Sequence, residues 1–322
     1  MSEPGSGSDS AAFWDTYWRG THENAAHREG GPQEPVLSGF WTDFFRRELA
    51  LRADPAVLDL ACGNGAVTGH ARSVAPGLQV YCSDYSLSAL LELERRHPGC
   101  TCLVADAARL PLATASFDLV VSQFGLEYAG EAALGEAAAL LAPGGVLALL
   151  IHVHEGGIYR ECELNRDVLR ELQALEVLPL ARAAFAAGFA LNRGECTPET
   201  FKQAERAFTP AVRGLEQLLR DRGPAAAGGL PQRLYQDIAH MYRRMSAYEP
   251  ADILQWLSGM QGELQAYTGR MQSMLDAAWR EDRLDAATGK LLARGFRLLQ
   301  RDQLTVPGHA LPAAWRMVLT RE

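Results

Sequence analysis

The chain has 322 residues, of which 48% are hydrophobic, and a formal net charge of −8 at pH 7. A chain of this length can bury a sizeable core as one large domain or two modest ones. The negative charge argues against nucleic-acid binding, because that affinity comes mainly from clustered Lys and Arg. No run of about 18 apolar residues is present, and the N-terminus lacks the basic start and apolar centre of a signal peptide. We therefore expect a cytoplasmic, globular protein that does not bind membranes.

Two aromatic stretches precede the first predicted strand. Residues 13–19 read FWDTYWR and residues 40–45 read FWTDFF, whereas residues 1–10 are small and polar and are predicted to be disordered. Aromatic side chains concentrated outside the strands must cover another surface. The sequence therefore predicts a helical aromatic cap that packs on the sheet or folds over a ligand.

The first predicted strand runs into a glycine-rich turn at residues 57–65. An apolar run that ends in an acid, here Asp59, is typical of a parallel strand buried on both faces. Gly63 and Gly65 allow backbone conformations, and a close ligand approach, that a side chain would block. A helix follows at about 66–75, so its N-terminus lies beside a ligand bound at the turn. Dinucleotide enzymes have a similar turn, so this feature alone does not identify the ligand.

Two more acids follow the next predicted strands, which cover 79–84 and 101–106 and are separated by a helix at about 86–97. Asp84 lies roughly 20 residues past the glycines, where a carboxylate can accept hydrogen bonds from both ribose hydroxyls. Asp106 ends the later strand. Three carboxylates at neighbouring strand ends repel one another unless a ligand presents ammonium, hydroxyl and amino donors. The alternative is that each of them caps a loop or helix.

Two histidines close the fifth predicted strand. That strand covers residues 146–151 and follows a fourth strand at 116–123, a helix at about 130–141 and a Pro-Gly-Gly turn. His152 and His154 alternate, so they share a strand face. Either can accept a proton from a hydroxyl or ammonium nucleophile near neutral pH, or be satisfied by the backbone. We expect no metal there, because no clear third ligand is nearby.

Residues 155–287 read as helix throughout and interrupt the strand pattern. Pro and Gly residues divide them into four or five predicted helices. We interpret their longer apolar stripe as the buried face of a local bundle or as a homodimer seam, and a cover over the ligand site agrees with either. The shorter stripe comprises Leu164, Val168, Leu172 and Leu175, and the longer one Ile253, Leu257, Met260, Leu264, Tyr267, Met271 and Met274.

The ordered acids, the glycine turn, the FDLVV strand and the Pro-Gly-Gly strand resemble the class I S-adenosylmethionine-dependent methyltransferases. The resemblance covers residues 56–154 and resumes at about 286–320, where a helix and two strand-like runs, 297–306 and 313–320, look like that family's terminal hairpin. It implies a Rossmann-like α/β fold: a doubly wound sheet, mainly parallel, with a terminal antiparallel hairpin and here a large helical insertion after the fifth strand. The implied domains are a cap at 1–55, a core at 56–154, the insertion at 155–287, and a last helix and hairpin at 288–322.

The resemblance also implies roles for residues of the turn and strand ends. Asp59 would lie near the methionine end of S-adenosylmethionine, Asp84 at the ribose hydroxyls and Asp106 at the adenine amino group. Gly63 and Gly65 would lie against the cofactor, and Ala61 stands where many relatives have the first glycine of the turn. The other residues implied at the cofactor are Tyr85, Ala107, Gln123, Tyr17 and Trp18, the last two as walls near the sulfonium.

Methyl transfer from a sulfonium needs alignment, exclusion of water and a deprotonated acceptor, but no protein nucleophile. The candidate catalytic residues are therefore His152 and His154 as bases, and Glu127 and Tyr128 as groups that orient the acceptor or cap the next helix. We predict transfer to an oxygen or nitrogen atom of a small or medium-sized molecule by in-line displacement.

Three alternatives stay open. A NAD(P)-dependent oxidoreductase is disfavoured by Thr68, where a dinucleotide fingerprint has Gly or Ala. A non-enzymatic S-adenosylmethionine-binding protein that presents a helical partner surface is the second. A protein methyltransferase is the third.

Overall fold

A computed structural model describes Trp14 and residues 34–322. Its contacts divide the chain into two compact units. The first contains the described residues up to Glu161 together with Ser273–Glu322, and the second is Cys162–Gln272. The second unit therefore lies within the insertion expected over 155–287.

One seven-stranded sheet forms the frame of the first unit, in the order β3-β2-β1-β4-β5-β7-β6. β1 to β5 pair in parallel, whereas β7 runs antiparallel to both β5 and β6. The strand order reverses between β1 and β4, and ligands of such sheets bind at this switch point, beyond the carboxyl ends of the strands. The doubly wound sheet with a terminal antiparallel hairpin is confirmed. The strands are β1 Val57–Leu60, β2 Val80–Asp84, β3 Thr101–Val104, β4 Phe117–Gln123, β5 Leu141–Ile151, β6 Phe296–Thr305 and β7 Pro312–Arg321.

Apolar side chains lie on both faces of this sheet. Leu58 and Val120 belong to one core cluster, whereas Val57 and Leu119 belong to another that also contains Trp41. Successive residues of a strand point to opposite faces, so burial of both faces explains why β1, β4 and β5 are almost continuously apolar. The helices of this unit include α1 Glu34–Ala50, α2 Ala66–Val74, α3 Leu87–Arg96 and α4 Gly130–Leu140; a 3-10 turn covers Leu126–Ala129.

Between β5 and β6 the chain is mostly helical. Its helices are α5 Gly157–Ala174, α6 Val177–Asn192, α7 Pro198–Arg222, α8 Leu230–Arg243, α9 Pro250–Ala277 and α10 Glu281–Leu292. The longer apolar stripe lies on α9, where Ile253, Leu257 and Leu264 are buried within a single copy of the chain. The bundle interpretation therefore accounts for these side chains. The expectation that the insertion covers the acceptor site stays a prediction.

The shorter apolar stripe is only partly buried. Leu164 on α5 is 61% exposed, whereas Leu169, which the stripe omitted, is fully buried. The buried face of α5 is centred on Leu169 and Leu172, and on a helix with 3.6 residues per turn Leu164 falls at the edge of that face.

One stretch of the described residues, Gly157–Asn192, is long and apolar enough by composition to cross a membrane. In the structure it consists of α5 and α6, separated at Glu176, whose φ is 51°. A single stretch of this kind is weak evidence for a membrane span, because core helices of folded proteins meet the same criterion of length and composition. In this structure 39% of its most apolar 18-residue window is buried. α6 buries Phe185 and Phe189 and exposes Arg182, its one charged residue.

Candidate active site

The turn between β1 and α2 is built from left-handed residues. Ala61, Gly63 and Gly65 have φ values of 50°, 53° and 86°. A Cβ atom at position 65 would lie 2.9 Å from side-chain atoms of Leu93 and His97, so glycine is required there for space as well as for conformation. Ala61 adopts this conformation without being glycine, at a cost of roughly 1–2 kcal/mol.

A second turn, which follows β4, leaves room for the Ala61 methyl group. A Cβ atom at Gly125 would lie 2.5 Å from the Cβ and 2.8 Å from the carbonyl oxygen of Ala61. The turns that follow β1 and β4 therefore meet at the switch point of the sheet. This pairing joins residues 64 positions apart, and local sequence patterns carry no signal for it.

Gly125→Ala is expected to displace the β1–α2 turn, because the neighbour of the new methyl group is backbone that cannot swing away. We expect a loss of roughly 1–3 kcal/mol in the free energy of unfolding, typical of overpacking, and weaker cofactor binding. The control is Gly289→Ala on α10, where a Cβ atom meets nothing within 4 Å. Denaturant unfolding of both variants tests this, and an unchanged Gly125→Ala protein would contradict it.

Ala61→Gly is expected to stabilise the protein. Glycine removes the steric clash of the left-handed conformation, which costs roughly 1–2 kcal/mol. It also raises the conformational entropy of the unfolded chain, which offsets part of this stabilisation. We expect a net gain of about 1 kcal/mol or less in denaturant unfolding. A destabilised variant would show that the methyl group contributes packing that outweighs the strain.

Asp59 is a buried carboxylate with one unsatisfied oxygen. It is 1% exposed, and its Oδ2 accepts hydrogen bonds from the backbone N–H and hydroxyl of Thr68 at 3.1 and 2.7 Å. Its Oδ1 is buried and has no hydrogen-bond partner within the part of the chain that the structure describes. Burial raises the pKa of Asp59 to about 7, against the lowering effect of the Thr68 hydrogen bonds, and the charge of Asp84 adds to the rise. An orphaned carboxylate oxygen beside a glycine turn fits a ligand ammonium group.

Asp84 ties the end of β2 to the same turn. Its Oδ2 accepts from the backbone N–H of Gly63 at 2.8 Å, and its Oδ1 accepts from the backbone N–H of Ser86 at 2.8 Å. Burial raises the pKa of Asp84, and the hydrogen bonds from Ser86 and Gly63 oppose that rise. The backbone N–H of Tyr85 also interacts with this carboxylate. A carboxylate has about four acceptor positions, so these contacts leave capacity for a ligand hydroxyl.

The remaining predicted cofactor residues differ in their surroundings. Asp106 is exposed and its Oδ1 accepts from the backbone N–H of Ala108 at 2.9 Å, which is a loop cap. Tyr85 is 56% exposed and Ala107 is half-buried. Gln123 is held by α1, since its Oε1 accepts from Trp41 Nε1 at 2.6 Å. Tyr17 and Trp18 lie outside the described residues.

Glu127 and His152 form a buried pair beyond β4 and β5. Each is 3% exposed. Glu127 Oε1 accepts from the backbone N–H of His152 at 3.0 Å and lies 2.8 Å from its Nδ1. Because a carboxylate only accepts, Nδ1 carries a proton, and Nε2 is the basic nitrogen of the neutral ring. Glu127 therefore contacts His152, where the sequence suggested contact with the acceptor or a helix cap.

Aromatic rings surround the His152 imidazole. Phe124 stacks on it with a centroid distance of 4.3 Å and an interplanar angle of 26°, although its φ of 53° is left-handed. Tyr128 meets it edge-on at 6.0 Å, and Trp14 in turn meets Tyr128 at 5.5 Å. These rings make the surroundings of the His152–Glu127 pair apolar.

His154 is arranged differently. Its Nε2 lies 2.8 Å from Arg280 Nη2, and since the guanidinium only donates, Nε2 is already used as an acceptor. Its ring also packs against Tyr159 at 4.7 Å. Of the two histidines, His152 therefore has the arrangement of an oriented base. Among the described residues, no group of three or more His, Cys, Asp and Glu side chains is placed to hold a metal ion.

Comparison with known proteins indicates a methyltransferase domain in this part of the chain. Residues 57–145 match a family model described as a methyltransferase domain. The demethylmenaquinone methyltransferase of Beutenbergia cavernae is 38% identical over 103 residues, which are 31% of this chain and 42% of that protein. The demethylmenaquinone methyltransferase of Parafrankia sp. is 29% identical over 214 residues, 60% of this chain and 78% of that protein. The malonyl-acyl-carrier protein O-methyltransferase of Enterobacter lignolyticus is 34% identical over 108 residues, 33% of this chain and 42% of that protein.

The sheet order, the glycine turn and the match over 57–145 together define a class I S-adenosylmethionine-dependent methyltransferase domain, and this chain carries one. S-adenosylmethionine is the cofactor of that domain. The alignments with the Beutenbergia and Enterobacter proteins span about two fifths of those proteins.

Proposed function

We propose that the protein transfers the methyl group of S-adenosylmethionine to an oxygen or nitrogen atom of a small or medium-sized molecule. The observation that carries this proposal is the buried, unpartnered Oδ1 of Asp59 beside the left-handed glycine turn. Buried carboxylate oxygens without a partner are rare in folded proteins and concentrate at functional sites, where a ligand donor can satisfy them. The ammonium group at the methionine end of the cofactor is a donor of the required charge.

The chain's own residues bind and orient the cofactor in this proposal. Asp59 receives the ammonium group, Asp84 receives the ribose hydroxyls and Asp106 receives the adenine amino group. Gly63 and Gly65 allow the backbone of the turn to approach closely. When bound, S-adenosylmethionine supplies an electrophilic methyl group whose leaving sulfur becomes neutral, so alignment and exclusion of water lower the barrier.

His152 is the proposed base. Its Nδ1–H is fixed on Glu127 at 2.8 Å, which leaves Nε2 to take a proton from the acceptor. The rings of Phe124, Tyr128 and Trp14 keep this place poor in water. His154 has its Nε2 held by Arg280 and is not assigned this role.

The acceptor is proposed as a free small molecule in the cytoplasm. The relatives carry the names of different acceptors, demethylmenaquinone and malonyl-acyl-carrier protein, so they support methyl transfer without fixing its target. The net charge of −8 disfavours a nucleic acid. A protein acceptor is the second candidate, because one of these relatives bears the name of a carrier-protein acceptor.

Labelling with methyl-13C-S-adenosylmethionine tests this function. The full chain is incubated with the labelled donor and a cell extract, and the small-molecule and protein fractions are separated before mass spectrometry. We expect label in the small-molecule fraction above the level of the extract alone, and less of it with the Asp59→Asn variant at a donor concentration below saturation. Label confined to protein would favour the second candidate, and donor binding without any label transfer would contradict the proposal.

A further inference from the structure

Glu127 holds one of the few unsatisfied buried carboxylate oxygens in the described part of the chain. Its Oε1 takes two hydrogen bonds from a single residue, through the backbone N–H and the Nδ1 of His152. Its Oε2 is buried and has no hydrogen-bond partner among the described residues. A buried carboxylate oxygen without a partner is unfavourable, whereas the other oxygen of Glu127 satisfies two buried donors of His152.

A second unfavourable feature meets the same ring. Phe124 is held in the left-handed region at φ 53°, which is rare for a large side chain, and in this conformation it stacks on the imidazole. Such strain is unfavourable and persists at functional sites because the surroundings enforce it. The imidazole is thus fixed from its edge by a charge and from its face by a strained ring.

We propose that Glu127 is a positioning residue that acts through His152, and that the acceptor is therefore a group that must lose a proton: a hydroxyl, an enol or an ammonium. This proposal rests on the proposed methyl transfer. A thiol that is already ionised near neutral pH would need no such pair. The carboxylate selects the Nδ1–H form of the ring and balances the positive charge that the ring gains when Nε2 takes the proton.

The proton and electron balance of the step is complete without another reactant. The acceptor O–H or N–H proton moves to His152 Nε2, and the electron pair of the acceptor forms the new bond to the methyl carbon. The methyl–sulfur bond breaks and its pair stays on sulfur, which becomes neutral. The imidazolium then returns its proton to solvent, and Glu127 keeps its negative charge throughout.

Nitrogen-15 NMR of the full chain, labelled at histidine, tests the positioning role without any acceptor. The His152 signals are assigned by their loss in His152→Gln. We expect the His152 proton on Nδ1 in the wild type and in Glu127→Gln, whose amide oxygen still accepts, but moved toward Nε2 in Glu127→Leu. Glu131→Gln, an exposed carboxylate paired with Lys290, is the control. A proton on Nε2 in the wild type, or an unchanged ring in Glu127→Leu, would overturn the proposal.

Kinetics with an acceptor from the labelling experiment separates positioning from folding. We expect Glu127→Gln to lower kcat about 10- to 100-fold with the KM for the donor unchanged. The titratable side chains that face the His152 imidazole are Glu127 and Tyr128, so these groups bear on the pH dependence of the step. The loss should shrink as pH rises and solvent ionises the acceptor, whereas a structural role would give a loss that does not depend on pH. If the donor fails to bind while the NMR result holds, the proposed function fails and the pairing stands.

Discussion

Asp59→Asn is expected to stabilise the ligand-free protein above pH 7 and to weaken S-adenosylmethionine binding. Burial raises the pKa of Asp59 from 3.8 to about 7. Between these values the folded protein keeps a proton that the unfolded chain has released, so the free energy of unfolding falls as pH rises. Above pH 7 Asp59 is ionised in the folded protein as well, and burial of its charge lowers the free energy of unfolding by about 4 kcal/mol. The neutral amide removes this penalty.

The cofactor affinity should change in the opposite direction. The neutral amide of the Asp59→Asn variant cannot offer a charge to the ammonium group, and a charged hydrogen bond of about 1.5–3 kcal/mol corresponds to a loss of about 10- to 100-fold in affinity. Denaturant unfolding at pH 5 and pH 8, and titration calorimetry at pH 8, measure both effects. Asp43→Asn, whose side chain is 79% exposed, is the control. Equal affinities of Asp59→Asn and the wild type would contradict the role given to Asp59.

His152→Gln is expected to lower kcat about 10²- to 10⁴-fold, the range of general-base effects. Glutamine is the informative replacement, because its amide N–H can still donate to Glu127 and keep the buried carboxylate partnered. Cofactor affinity should therefore stay within about threefold of the wild type. The loss should appear in kcat rather than in the donor KM, since the base acts in the transition state.

His154→Gln is the matched comparison for this substitution. It stands two residues further along the chain, and Arg280 already occupies its Nε2. We expect kcat of this variant to stay within about threefold of the wild type. A larger loss for His154→Gln than for His152→Gln would reverse the assignment, and losses below about tenfold in both would remove histidine from the proton transfer.

The strands and their order along the chain are predictable because a strand that is buried on both faces contains a run of consecutive apolar residues. β1, β4 and β5 are almost continuously apolar, and each is followed by turn or polar residues. The edge strand β3 is mostly exposed, so its prediction depends on the position of Asp106 and on family resemblance rather than on apolar character. Leu164 belongs to the apolar stripe of α5 but is 61% exposed, because periodicity indicates the direction of a buried face without locating its centre.

The candidate site is predictable only where one short segment contains the whole signal. Asp59, Gly63 and Gly65 lie within seven consecutive residues, and Asp84 follows at a characteristic distance. From the sequence, Thr68 is only a departure from a dinucleotide fingerprint, whereas the structure shows both of its donors on Asp59. A signal for this contact is present, since a hydroxyl in the first turn of a helix can bond to nearby groups at the preceding strand end.

The other site contacts are set by tertiary register. Gly125 meets Ala61 across 64 positions, and Glu127 meets His152 across 25. Each member lies in a turn beyond a strand, so the order of β1, β4 and β5 in the sheet decides which turns touch. A sequence pattern can propose Glu127 and His152 as polar residues near a ligand. It cannot show that one of them orients the other.

Titration calorimetry of the full chain with S-adenosylhomocysteine, repeated from pH 6 to pH 8, tests the central claim most directly. We predict one site per chain, with an association constant that is level above pH 7 and falls by up to about tenfold per pH unit below it, as Asp59 takes up a proton. No detectable binding by folded protein at any of these pH values would contradict the claim that Asp59 and the glycine turn hold this cofactor.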